Sequence, residues 1–147
     1  MRIAVVNGPN LNLLGTRERE IYGSQSLGAI ETAVRSMSAQ RGFELDWHQT
    51  NDEGQFVDIV QGFTGRVRGA AINAAAFTHT SLAIRDALLA VRTPFVEVHL
   101  SNVFGREAER RRSLLADIAV GVVAGFGPAS YLLGIEGLLG YLEHHSG

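Results

Sequence analysis

The chain contains no cysteine, and none of its 13 basic residues is a lysine. The first absence excludes disulfide bonds, thiolate nucleophiles, and zinc or iron–sulfur sites built on cysteine. The second absence excludes an internal lysine Schiff base, with either a carbonyl substrate or a pyridoxal cofactor. An enzyme made from this chain must therefore rely on arginine, histidine, tyrosine, serine, amides and carboxylates.

The chain also lacks a long apolar run and a large charge of either sign. No hydrophobic stretch comes near the roughly 20 residues that a membrane helix needs. The formal net charge of -2 gives no support for a nucleic-acid surface. Met1 and Arg2 lead into an apolar run without a signal-peptide pattern, so we expect a cytoplasmic location. The length of 147 residues predicts one domain, 1–147, with a single sizeable core.

Strand-like and helix-like stretches alternate along the chain. Strands are predicted at 2–7, 43–49, 68–73, 95–100 and 118–123, and helices at 27–41, 53–62, 80–92 and from Pro128 onward. Ser26 is a candidate N-cap, and Asp52 and Gln55 have capping-box spacing. This alternation implies right-handed βαβ units. We therefore predict an α/β, flavodoxin-like three-layer fold with a five-stranded parallel sheet in the order 2-1-3-4-5.

Polar side chains follow the predicted strands at the point where each strand ends. They are Asn7 and Asn10 after strand one, Asn51 after strand two, Asn73 at the end of strand three, and His99 with Ser101 at the end of strand four. The carboxyl ends of parallel strands share one edge of the sheet, and ligands bind where the strand order reverses. The sequence therefore predicts a site in which Asn10 and Asn73 flank the crevice.

A long loop rich in Gly, Pro and Asn follows the first strand and runs from Asn7 to about Gly23. It carries Arg17 and Tyr22, and a guanidinium beside a phenol favours the phenolate and so lowers the phenol pKa. The pair could act as a base near neutral pH. A packed tyrosine on a surface loop is the alternative.

Glu97 and His99 alternate along the fourth strand and so lie on the same face. The carboxylate can orient the imidazole ring and support its charged form, which makes His99 a candidate general acid. A structural histidine is the alternative.

Three further segments each allow two interpretations. His79, with Asp86 two turns further along the same predicted face, is either a partner for a substrate hydroxyl or a surface residue. Residues 106–112 predict a solvated charged helix from which one arginine could turn inward. Residues 121–127 predict a tight strand-to-helix turn rather than a phosphate loop, because the full fingerprint is absent.

Taken together, these segments resemble those of type II 3-dehydroquinate dehydratases, nearly from end to end. The similar segments are 7–15, 17–18, 20–23, 53–54, 77–81, 85–87, 97–102, 106–107, 125–127 and 130–131. The resemblance implies a flavodoxin-like fold, no cofactor or metal, and a dodecamer of four trimers. It also implies anti elimination of water from 3-dehydroquinate to 3-dehydroshikimate through an enolate, in the shikimate pathway. The same reaction in quinate catabolism, a non-catalytic paralogue that binds a polyhydroxy carboxylate, and a nucleotide or flavin module remain alternatives.

The resemblance also assigns roles to residues. Tyr22 would be the base that removes the C2 proton, with Arg17 keeping it as phenolate, and Asn10 would hold a water that stabilises the enolate. His99, supported by Glu97, would protonate the departing hydroxyl. The substrate would be bound by Asn73, His79, Arg110, the backbone amides of Leu100 and Ser101, and Asp86 of a neighbouring subunit.

The chain departs from the family pattern near some of these residues. Ala74 and Ala75 stand where a glycine usually follows Asn73, and Phe104 with Gly105 replaces a usual His-Ala pair. Glu109 takes a position where an aromatic residue is common. These differences bear on substrate affinity, lid closure and assembly contacts.

Overall fold

The computed structural model describes residues 1–16 and 25–145, and within them five parallel strands form one sheet in the order β2-β1-β3-β4-β5. The strands are β1 (Arg2–Asn7), β2 (Glu44–Gln49), β3 (Gly69–Asn73), β4 (Phe95–His99) and β5 (Gly121–Ala124). The predicted fold class and strand order are confirmed. Since the chain order reverses between β1 and β3, a crevice is expected at their carboxyl ends.

The helices are α1 (Leu27–Arg41), α2 (Glu53–Gln61), α3 (Leu82–Val91) and α4 (Ala129–His144). The predicted caps are present: Ser26 Oγ accepts the Ala29 N–H at 3.1 Å, and Asp52 Oδ1 accepts the Gln55 N–H at 2.8 Å. A cap of this type is worth about 1 kcal/mol. Within the described ranges, no helix is both long and apolar enough to cross a membrane.

Alternate side chains of the central strands enter two separate cores, one on each face of the sheet. Ile3 and Val5 of β1 pack with α1 and α4, whereas Ala4 and Val6 pack with α2 and α3. In β4, Val96 and Val98 face α1 and α4 and Phe95 faces the other side. By the same alternation, Glu97 and His99 project to the face covered by α2 and α3.

One predicted strand boundary and one predicted helix are wrong. The fifth strand begins at Gly121 rather than at residue 118, because Ala116–Ile118 forms a 3-10 helix that turns behind the fully buried Leu115. Residues 106–112 do not form a charged helix: the 3-10 helix Val103–Gly105 precedes them, and within them Ala108–Arg110 forms one short 3-10 helix. The Arg111 side chain bonds the Arg106 carbonyl at 2.6 Å and so occupies an acceptor that a longer helix would need.

Candidate active site

A cavity of about 190 Å³ opens at the carboxyl ends of β1, β3 and β4. Because Asn7 pairs with Asn73 in the sheet, the loops that follow β1 and β3 leave it at the same level. The lining of the cavity includes Pro9, Asn10, Leu11, Asn73, Ala75, His79, His99, Leu100, Ser101, Arg106 and Arg110. The amides, imidazoles and arginines predicted for this edge of the sheet therefore surround one space.

The loop after β1 is fixed against the loop after β3 by a very close backbone approach. The Gly8 N–H donates to the Asn73 carbonyl at 2.8 Å, and a Cβ on Gly8 would lie 2.3 Å from the Ala74 carbonyl oxygen. No other residue fits there without moving one of the two loops. Asn10 follows in a left-handed conformation with φ of 69°, which asparagine adopts more readily than most residues. Its N–H donates to Asn51 Oδ1 at 3.0 Å, which anchors this turn to the end of β2.

Asn73 is held by a buried chain of hydrogen bonds. Its Nδ2 donates to the hydroxyl oxygen of Tyr131 at 2.9 Å, and that hydroxyl donates to Asn7 Oδ1 at 2.7 Å. Burial raises the pKa of Tyr131, and the bond from Asn73 only partly opposes this, so the hydroxyl stays protonated and can donate. Asn73 Oδ1 accepts the Ala75 N–H at 3.2 Å, which fixes the other end of the amide.

Glu97 and His99 form the pair that strand alternation predicts. His99 Nε2 lies 2.5 Å from Glu97 Oε2, and the two residues are only 5% and 1% exposed. A carboxylate against Nε2 fixes a proton on that nitrogen, so in the neutral ring Nδ1 is the acceptor. The buried Glu97 is also bonded by Ser113, whose hydroxyl lies 2.9 Å from Oε1 and 2.8 Å from Oε2. The sequence had pointed to the pair but not to Ser113.

His79 and Arg110 also line the cavity. His79 Nδ1 lies 2.7 Å from the Arg112 carbonyl oxygen. Since a carbonyl only accepts, Nδ1 must carry the proton, and in the neutral ring Nε2 is then an acceptor for a hydroxyl. Arg110 Nε donates to Glu107 at 2.5 Å. The segment of residues 106–112, though not a helix, thus brings two arginines to the cavity, Arg106 and Arg110, where one was expected.

Of the predicted site residues that the structure describes, Asp86 and Glu97 are not part of the cavity lining, although Glu97 contacts His99, which is. Asp86 is exposed on α3. Asp86 and His79 do not share a helix face, because His79 belongs to the separate 3-10 helix Ala75–His79 and α3 begins at Leu82 after the Ser81 cap. Arg17 and Tyr22 lie outside the described residues.

Ala75 lies in the cavity wall with a φ of 52°, where an L-residue with a Cβ is strained. A glycine would adopt this conformation without that strain. The alanine that stands here in place of the family's glycine therefore carries backbone strain. Phe104 is 60% exposed and lies outside the cavity lining.

The glycine-rich segment after β5 is the predicted tight turn. Gly125 and Gly127 have φ values of 100° and 61°, and the Gly127 N–H donates to the Leu100 carbonyl at 2.9 Å. The turn therefore fixes Leu100 at the cavity edge. Among residues 1–16 and 25–145, no group of three or more histidine, aspartate or glutamate side chains is placed to hold a metal ion.

Comparison with known proteins gives consistent results across nearly the whole chain. The family described as Dehydroquinase class II matches residues 1–139. The 3-dehydroquinate dehydratase of Prochlorococcus marinus strain MIT 9301 is 50% identical over 143 residues, which cover 97% of each chain. That of Synechococcus sp. strain CC9605 is 52% identical over 99% of this chain and 100% of its own. A solved type II dehydroquinase from Butyrivibrio crossotus DSM 2876 superposes with a TM-score of 0.92 at 38% identity, covering 95% of this chain and 97% of that one. On the family match and on identities near one half over almost its full length, the chain belongs to the class II dehydroquinases.

Proposed function

We propose that the protein dehydrates 3-dehydroquinate to 3-dehydroshikimate in the shikimate pathway, by anti elimination through an enolate. The observation that carries this proposal is the buried Glu97–His99 pair at a cavity lined by Asn10, Asn73 and Ser101. An elimination of this kind needs a base, an acid and a site that stabilises negative charge on oxygen. The described residues supply candidates for the last two.

In the first step, a base removes the proton at C2 and the C3 carbonyl becomes an enolate. On the resemblance of that loop to the family, we assign the role of base to Tyr22. Arg17 would keep Tyr22 in its phenolate form. Asn10 would hold a water against the enolate oxygen. In the second step the enolate re-forms the carbonyl, its electron pair makes a C1–C2 double bond as the C1–oxygen bond breaks, and His99 gives its proton to the leaving hydroxyl. One molecule of water is lost, and the net reaction needs no oxidant or reductant.

The resemblance to the family implies the roles in substrate binding, and the polar residues of the cavity lining support them. Asn73 and the amides of Leu100 and Ser101 would bind the carboxylate, and Asn73 is supported in this role by the hydrogen bonds that fix its side chain. His79 would accept from a ring hydroxyl through Nε2, and Arg110 would donate to one. The two arginines at the cavity, Arg106 and Arg110, favour an anionic substrate.

We further propose that the chain acts as one catalytic domain, 1–147, in the cytoplasm, and that it assembles as a dodecamer of four trimers. Asp86 would then reach the site of a neighbouring subunit, which its exposure on α3 permits. Asp86→Ala should lower activity in the assembled protein. A fully active monomer, identified by analytical ultracentrifugation and assayed at the same concentration, would refute this arrangement.

The test of the proposed function is the ultraviolet absorbance of the conjugated product when the protein is mixed with 3-dehydroquinate. We expect a rise that survives chelator and borohydride and disappears in Tyr22→Phe. His99→Ala should lower kcat by about 10²–10⁴-fold, the usual share of a general acid. No rise, with binding still measured by calorimetry, would instead support a paralogue that only binds a polyhydroxy carboxylate. Induction of the gene by quinate would assign the reaction to quinate catabolism.

A further inference from the structure

Ser113 is half-buried beneath the Glu97–His99 pair and makes four hydrogen-bond contacts through one oxygen atom. Its Oγ accepts the N–H groups of Leu115 and Ala116, each at 3.0 Å. The same Oγ lies 2.9 Å and 2.8 Å from the two carboxylate oxygens of Glu97. A serine hydroxyl has two lone pairs and one proton. Because the two N–H groups take both lone pairs, the proton of Ser113 must point to Glu97.

We infer that Ser113 is a positioning residue for the elimination, which acts by holding the Glu97 carboxylate against Nε2 of His99. This inference rests on the proposed role of His99 as the general acid. Because Ser113 donates its proton to Glu97, the carboxylate stays an acceptor on the side that faces His99. Glu97 then presents an acceptor to His99, which keeps the Nε2 proton in place and leaves Nδ1 to deliver the catalytic proton.

The main chain around Ser113 is fixed on both sides, which such a role requires. The Leu114 N–H donates to the Thr78 carbonyl at 2.8 Å, and the Leu114 carbonyl accepts from Arg85 at 2.9 Å. The fully buried side chain of Leu115 anchors the next residue. A local turn, in which Ser113 Oγ accepts the N–H groups two and three residues further on, would need only the lone pairs of Ser113. The proton that Ser113 donates to Glu97 is therefore the feature that the local turn does not explain.

The experiment is a kinetic double-mutant cycle between Ser113→Ala and His99→Ala, with the absorbance assay. In the otherwise native protein, Ser113→Ala should lower kcat by about tenfold or more and change KM by less than about twofold, as expected for a group that supports an acid acting after binding. In the His99→Ala background, the same change should alter kcat by less than about twofold, because the group that it acts through is gone. Ser113→Thr, which keeps the hydroxyl, should restore most of the rate.

Ser130→Ala is the matched control. Ser130 is fully buried and its Oγ also accepts a backbone N–H, that of Phe126 at 3.0 Å, but it does not contact Glu97. In a double-mutant cycle with His99→Ala, Ser130→Ala should show no coupling: its effect on kcat should be the same with and without His99. An equal loss of kcat on Ser113→Ala with and without His99 would overturn the inference, and so would a native kcat in Ser113→Ala. A native kcat in His99→Ala would instead overturn the proposed role of His99.

Discussion

Removal of the Tyr131 hydroxyl should reveal how much the buried hydrogen-bond chain contributes to stability and to substrate binding. Tyr131→Phe takes the donor from Asn7 Oδ1 and the acceptor from Asn73 Nδ2. Asn7, Asn73 and Tyr131 are 0%, 3% and 0% exposed, so water cannot replace the lost partners without rearrangement. Each buried group left unpaired costs about 1–3 kcal/mol. We therefore expect a loss of about 2–4 kcal/mol, after some relaxation of the two amides.

A loss of this size should appear as a fall in Tm of roughly 5–15 °C for a chain of this length, measured by calorimetry at matched protein concentration. The KM for 3-dehydroquinate should rise as well, because Asn73 keeps only the Ala75 N–H to orient its side chain. Tyr141→Phe on the same helix is the control: Tyr141 is only partly buried and stacks on His145 with ring centroids 3.9 Å apart. It should change stability by less than about 0.5 kcal/mol. If Tyr131→Phe behaves like the control, the chain of hydrogen bonds does not hold Asn73.

Three further predictions follow from single residues. Ala75→Gly should relieve the strain of the positive φ of 52° and remove a methyl group from the cavity wall. Calorimetry should find unchanged or slightly higher stability, and the absorbance assay should find a lower KM. A higher KM would contradict this. Gly8→Ala should lower Tm steeply and impair binding, because its Cβ would lie 2.3 Å from a backbone oxygen of Ala74; a native Tm would show that the two loops can separate. Burial acts to raise the pKa of Asp46, but bonds from Arg2 and Arg66 outweigh it and hold the pKa below its usual 3.8. Asp46 therefore stabilises the fold above pH 3.8 and loses this contribution as the pH falls through its lower folded pKa. In urea titrations, Asp46→Asn should be less stable than the native chain at neutral pH. The difference in stability should close in acid.

Local chemistry was enough to predict most of the fold. Ser26 and Asp52 act as the predicted caps, and Gly42 ends α1 with a φ of 76°. The apolar runs that became β1, β3 and β4 are buried on both faces, as a central parallel strand requires. Since chirality and short connections leave few arrangements of five such strands, the order 2-1-3-4-5 could be predicted without tertiary information.

The errors lie where tertiary contacts decide the local structure. The sequence predicts a fifth strand from residue 118, but Ile118 ends the 3-10 helix Ala116–Ile118. The residues before this helix are fixed by tertiary contacts: Leu115 is fully buried, and the N–H and carbonyl of Leu114 bond to Thr78 and Arg85. The run of arginines after Gly105 has helical composition, yet its carbonyls bond to side chains such as His79 and Arg111. Propensity carries no information about such partners.

The same division applies to the site. The position of His99 at a strand end and its alternation with Glu97 were enough to predict a pair of side chains in contact. Ser113 and Tyr131 could not be assigned their roles in this way, because they are 16 and 58 residues from the groups that they bond. Their distance along the chain means that only the folded structure brings them together.

Arg85 makes contacts that a lysine could not make in the same way. Its guanidinium bonds both carboxylate oxygens of Asp117 and, at the same time, the Leu114 carbonyl. This side chain contributes three bonds in one plane, a geometry that a flexible lysine ammonium does not match. The bonds flank Ser113 on its C-terminal side and so hold the segment that supports Glu97. Arginine therefore serves here to fix the backbone beside Glu97, the carboxylate that contacts His99 Nε2.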